Sequence, residues 1–133
     1  MVVLVNEVRG RGYDCGETGR FGAAPPVAWN ERLAQAASVH NHDMSRNRFF
    51  DHVGSDGNIV GARLERQGYR WSLAGENLAY ATLGHFDERS VVEAWLGSPG
   101  HCAVLMDPAF REIGAAKLET QFEFWTQVFA AAR

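Results

Sequence analysis

Between Glu31 and Arg46 the positions Leu33, Ala36, Ala37, His40 and Met44 recur at the three- and four-residue spacing of one helical face. Asn30 stands directly before them and is a residue that caps helices, so the pattern predicts a helix over 31–46. A second stripe, Val91, Val92, Trp95 and Leu96, predicts a helix over 88–96 capped by Asp87. Weaker patterns predict short helices over 1–9 and 59–67, the latter closed by Gly68. Ser98 and Pro99 suit the cap and first position of one more, which places His101 in its first turn. Near the end the period changes. Ile113 to Leu118 and Phe122 to Phe129 are rich in apolar, aromatic and β-branched residues, and the polar Glu119-Thr120-Gln121 separates them, so they read as an antiparallel hairpin. Helices first and strands last indicate an α+β fold.

The intervening segments are loops. Residues 10–26 hold five glycines and two prolines, and residues 49–58 end in the turn signal Ser55-Asp56-Gly57. There is no repeat, low-complexity tract or internal linker, and 133 residues suit one domain spanning 1–133. The chain is 46% hydrophobic and 22% charged, with no apolar run near the ~18 residues of a membrane span. Its net charge of −3, with Arg9 and Arg11 interleaved with glycine and offset by Asp14 and Glu17, gives no reason to expect nucleic acid. The apolar cluster Val2-Val3-Leu4-Val5 has no basic segment before it and no small-residue cleavage site after it, so it is not a signal peptide as it stands. It reads as a helix that begins abruptly, as a mature or trimmed chain would.

Chemistry concentrates at a few positions. His40 lies on the apolar face of its helix and reads as a core histidine hydrogen-bonded to backbone; His42 and His85 read as solvated. His52 and His101 stand in a loop and at a helix start beside glycine, where side chains can converge on a cleft. Glu76 lies in Gly75-Glu76-Asn77, flanked by residues fit for tight turns. Glu93 sits beside the apolar stripe of 88–96, where a buried carboxylate would need a partner. These four can be zinc ligands with orienting acids, an acid–base site without metal, or a buried polar network. No HExxH pattern decides among them. Cys15 and Cys102 belong to no CxxC pair, and their spacing leaves both one disulfide and two buried thiols open.

Several blocks, taken together, resemble the CAP superfamily of cysteine-rich secretory proteins, venom antigens and plant pathogenesis-related proteins. They are FFDHVGSDG (49–57), GENLA (75–79), VVEAWLGSPGHCAVLMDPAFREIG (91–114) and FWTQVFA (124–130), with VNEVR and PPVAWNERLAQAASVHNHDM before them. The likeness runs in order along essentially the whole chain and is greatest to short bacterial members with one domain. It implies an α-β-α sandwich, a small antiparallel sheet between helical layers with a wide cleft on one side.

The family's cleft tetrad maps onto His52, Glu76, Glu93 and His101. The two histidines would hold zinc or another divalent cation, and Glu76 and Glu93 would be the candidate acid or base. The resemblance also implies a Cys15–Cys102 disulfide and an extracellular or cell-envelope location. It makes Cys102 half of a staple rather than a nucleophile. The expected function is a monomeric binding module whose cleft takes a metal and a lipid, peptide or glycan. The alternative is a zinc-dependent hydrolase or peptidase that uses the same cleft. Two departures stand out: Val104 replaces the usual asparagine, and Asp107 replaces the asparagine often found before Pro108. Whatever polar contact the first asparagine makes must be missing here. The cysteine-rich extension tied to ion-channel regulation and the loop tied to sterol binding have no counterpart, so those functions are not carried over.

Overall fold

A computed structural model describes all residues 1–133. Five helices run along the chain: α1 (Val2–Arg11), α2 (Glu31–Asn47), α3 (Val60–Arg66), α4 (Glu88–Leu96) and α5 (Pro99–Met106). The caps follow from the sequence. The Asn30 side chain accepts from the Arg32 N–H, and Asp87 and Ser90 form a reciprocal capping box on α4. A hairpin of β5 (Glu112–Glu119) and β6 (Phe122–Ala132) forms the middle of a four-stranded sheet. The short strands β1 (Tyr13–Asp14) and β2 (Arg20–Phe21) pair separately within the glycine-rich loop.

The sheet order is β3-β5-β6-β4, and two of its strands were not read from the sequence. β3 (Ala28–Trp29) is two residues long and pairs parallel to β5, the one departure from an antiparallel sheet. β4 (Trp71–Thr82) is a full edge strand, and it contains Gly75-Glu76-Asn77. The expectation of a tight turn there is corrected: Glu76 pairs opposite Val128 in the middle of the strand. Gly75 is required by close approach rather than by a turn, since a Cβ there would lie 2.8 Å from the Phe110 ring and 3.2 Å from Val104. Gly114 does the same for α2, whose backbone at Leu33 and Ala34 would collide with any side chain at that position.

Helical layers cover both faces, as the resemblance implied. On one face Val91, Val92 and Trp95 of α4 and Leu105 and Met106 of α5 pack with Val5 and Val8 of α1 onto Ile113, Trp125 and Phe129. On the other, Leu33, Ala36 and Ala37 of α2 and Leu64 of α3 pack onto Val128 and Ala130. β6 is therefore buried on both sides from Glu123 to Ala130, and each large apolar side chain so enclosed contributes about 1.5–3 kcal/mol. Cys15 and Cys102 form a disulfide that ties the glycine-rich loop to α5 across 87 residues. Closing a loop of that length restricts the unfolded chain by about 4–5 kcal/mol in the chain-entropy account.

At the end of α5, Val104 fills the space over Gly75, and Asp107 Oδ1 accepts from the Ala109 N–H to hold the next turn. The contact at position 104 is thus apolar. No helix is long and apolar enough to cross a membrane.

Candidate functional site

His52 is held by a chain of contacts that begins in the core. His40 is fully buried on α2, and its Nε2–H donates to the Asp51 carbonyl at 2.7 Å. Burial pushes the His40 pKa down, so the ring is neutral and acts as a fixed donor. Arg63, from α3, donates to the His52 carbonyl through both terminal nitrogens and to the Asn58 carbonyl through one. The loop that sequence composition identifies is thus fastened at both sides of His52.

The Arg63 guanidinium also meets Glu76, Nη2 to Oε2, at 2.7 Å with both side chains buried. The other Glu76 oxygen accepts from His52 Nδ1 at 2.9 Å. Glu76 is 2% exposed at its side chain and His52 52%, so this is a buried ion pair that ends in an imidazole open to solvent. The hydrogen bond to Glu76 raises the His52 pKa above its ordinary value and outweighs partial desolvation. With Nδ1–H fixed on a carboxylate, the neutral ring presents Nε2 as a free donor atom.

His101 stands at the start of α5, in the other helical layer. Its Nδ1 lies 2.9 Å from Ser98 Oγ, a cap residue and a third helical residue meeting as in a capping box. Ser98 spends its side chain on this contact and makes no cap bond to the backbone. Asn77 ties the turn down by donating to the His101 carbonyl and to Gln127 Oε1, each at 3.1 Å. Burial lowers the His101 pKa, and charge on His52 lowers it further. Glu76 and Asn77, neighbours on the edge strand β4, thus hold the His52 ring and the His101 backbone respectively.

Glu93 does not join them. It is exposed on α4, and no side-chain hydrogen bond links it to either histidine, which corrects the expected need for a buried partner. At 100° per residue, position 93 lies 200° from both Val91 and Trp95, opposite the apolar stripe. The group beside His101 is Ser98, and the Ser-x-x-His spacing at a helix start was the signal for it. Arg63 was also missed. A basic residue on a short helix carries no mark of burial until a buried acid is known to face it.

No three His, Cys, Asp or Glu side chains are grouped to share a metal ion. The donor set is two imidazoles with their Nδ1 atoms engaged and their Nε2 atoms without a protein partner. Such a set would need solvent or a ligand to complete the coordination of any cation. It falls short of the three protein ligands usual at catalytic zinc.

A profile of the CAP family, the cysteine-rich secretory protein family, matches residues 2–129. The chain belongs to this family. Among relatives of known sequence, it is 32% identical over 103 residues to the Bacillus subtilis membrane protein YlbC, covering 77% of this chain and 28% of that protein. It is 31% identical over 104 residues to YkwD of the same organism, covering 78% and 39%. Among solved structures, an extracellular SCP-domain protein of Bacillus anthracis superposes with a TM-score of 0.72 at 34% identity, covering 80% of this chain and 34% of that one. The CAP chain thus spans well under half the length of these relatives.

Proposed function

We propose that this CAP domain is an extracellular or cell-envelope binding module, acting as a monomer, whose cleft holds a divalent cation such as zinc between His52 and His101. One observation carries the reading. Each imidazole is oriented at Nδ1 by a polar partner, Glu76 or Ser98, and keeps Nε2 free, which is how proteins prepare histidine for a metal. The disulfide supports an oxidising location, as does the likeness to an extracellular Bacillus protein. When bound, the cation would supply a point of attachment for an anionic or carbonyl oxygen of a lipid, peptide or glycan in the cleft. The hydrolase reading has less support, because the cation would have two protein ligands, and of its two candidate bases Glu76 is engaged by Arg63 and His52 while Glu93 is exposed on α4.

The test is calorimetric titration of zinc into metal-stripped protein at pH 7.5, beside His52→Ala/His101→Ala. One-to-one micromolar binding that the double variant loses is the expected result. No heat in the wild type, with a folded but destabilised double variant, would leave the cleft a polar network. Ligand histidines must be neutral, so affinity should fall as pH drops, starting above 6.5 because the His52 pKa is raised.

A further inference from the structure

A concavity that neither His52 nor His101 lines opens at the C-terminal end of α2. It is half-open, about 910 Å³ in volume, and lined by ten residues. Its floor is apolar: Met44 and Phe124 are buried, and Phe49 and Phe122 are partly so. Its walls are rings. Tyr80 stands 5.7 Å from Phe50, 5.3 Å from Phe122 and 5.0 Å from Phe124 by ring centroids, tilted by 33–45°. Phe50 and Tyr80 remain 50% and 43% exposed, although a soluble domain ordinarily covers rings of this size. A tilted cluster with open faces offers room for one more flat ring at a favourable angle.

The charge of the pocket is equally one-sided. Arg48 is the only charged residue among the ten, and no carboxylate lies within salt-bridge distance of its guanidinium. Its backbone is also unusual. Arg48 follows α2 with φ 55° and ψ 56°, the only residue other than glycine with positive φ. That is the position where helices end on glycine, because a Cβ is disfavoured there. The helix dipole accounts for a base in the last turn, which Arg46 supplies, but not for a side chain retained at a strained position.

We propose that this pocket binds a small hydrophobic acid, a flat aromatic body with one carboxylate or sulfonate. The body would lie among Phe50, Tyr80 and Phe122, and the acid would meet Arg48. An unpaired guanidinium at the rim of an apolar cavity with no acid selects an anion over a neutral or cationic ligand of the same shape.

Two fluorescent probes that differ by one group make the test: 1-anilinonaphthalene-8-sulfonate and N-phenyl-1-naphthylamine, which lacks the sulfonate. The wild-type protein should bind one equivalent of the sulfonate. Arg48→Gln should weaken that binding about tenfold, the worth of one charge-assisted contact, and change the neutral probe less than twofold. Arg48→Gly should do the same while keeping the fold, since glycine suits the backbone there. Tyr80→Ser should weaken both probes, and none of the three variants should alter zinc binding. Equal affinity of wild type and both Arg48 variants for the sulfonate would overturn the proposal. So would parallel loss of both probes in the Arg48 variants, or saturation at several equivalents that Tyr80→Ser does not change.

Discussion

Two arginines, Arg9 and Arg63, are buried in this domain, and they are satisfied in opposite ways. Arg9 is fully buried and meets no acid. Its Nε and Nη2 donate to the Pro25 carbonyl, Nη1 to Leu105 and Asp107, and Nη2 also to Phe110. All five N–H groups are thus spent on backbone carbonyls, two of them at the C-terminal end of α5, where the helix dipole favours a cation. Arg63 instead divides itself between carbonyls and the Glu76 carboxylate, and its Nε is left buried without a partner. The first arrangement closes on itself. The second runs outward to a solvent-exposed imidazole. Burial of a charge is therefore no guide to function in itself; what matters is whether the last group in the chain is still able to titrate or bind.

The contrast is sharpest in what each arginine's removal should do. Arg9→Ala leaves the Pro25 and Leu105 carbonyls without a donor, weakens the satisfaction of Asp107 and Phe110, and opens a cavity, so a loss of about 4 kcal/mol is expected in urea unfolding. The His52 pKa, followed by NMR, should stay where it is. A loss below about 1 kcal/mol would show that the turns after α5 and before β3 hold without the clamp.

Arg63→Ala should cost less, about 3 kcal/mol, because Glu76 keeps one partner that can take up charge. Arg63 lowers the proton affinity of His52, so its removal should raise the His52 pKa further. If stability falls while the His52 pKa is unmoved, the two arginines are alike and the comparison fails.

How much of this was legible beforehand follows the same division. The helices were readable because their stripes and caps, Asn30 and Asp87 above all, are local signals. The β5–β6 hairpin was readable from composition. β4 was not, because an edge strand carrying Gly75, Glu76 and Asn77 has too little apolar alternation to announce itself. The His52–Glu76 contact and the disulfide came from resemblance, since nothing in a 24- or 87-residue separation specifies contact. Arg9 and Arg63 were invisible as buried groups. Their partners are carbonyls and an acid that only the folded chain brings near.

Glu76→Gln cuts the outward chain at its middle and should cost about 2 kcal/mol by leaving Arg63 buried without its counter-charge. Its more telling effect is on pH. The His52 pKa is raised in the folded state, so its contribution to stability is fully present below 6.5 and is lost as pH rises through the raised value. In Glu76→Gln the cause of the raise is gone, and that part of the pH dependence should vanish. An unchanged His52 titration would mean that the carboxylate does not set the proton affinity of the exposed imidazole.

The smallest effect concerns His40, the inner anchor of the same loop. Its pKa is lowered by burial, so the unfolded chain binds this proton more readily than the folded one. The stability it contributes is present above 6.5 and falls as pH drops below that value, by at most about 1.4 kcal/mol per unit. His101 shifts in the same direction, so the wild-type slope alone cannot assign the effect. His40→Gln keeps a donor for the Asp51 carbonyl but no titrating group. Between pH 6.5 and 5.5 the variant should lose less stability than the wild type, with the difference on the order of 1 kcal/mol. Identical slopes would mean that the loop bearing His52 releases His40 to water before the ring takes its proton. The inner anchor would then be part of the movable cleft rather than of the fixed core.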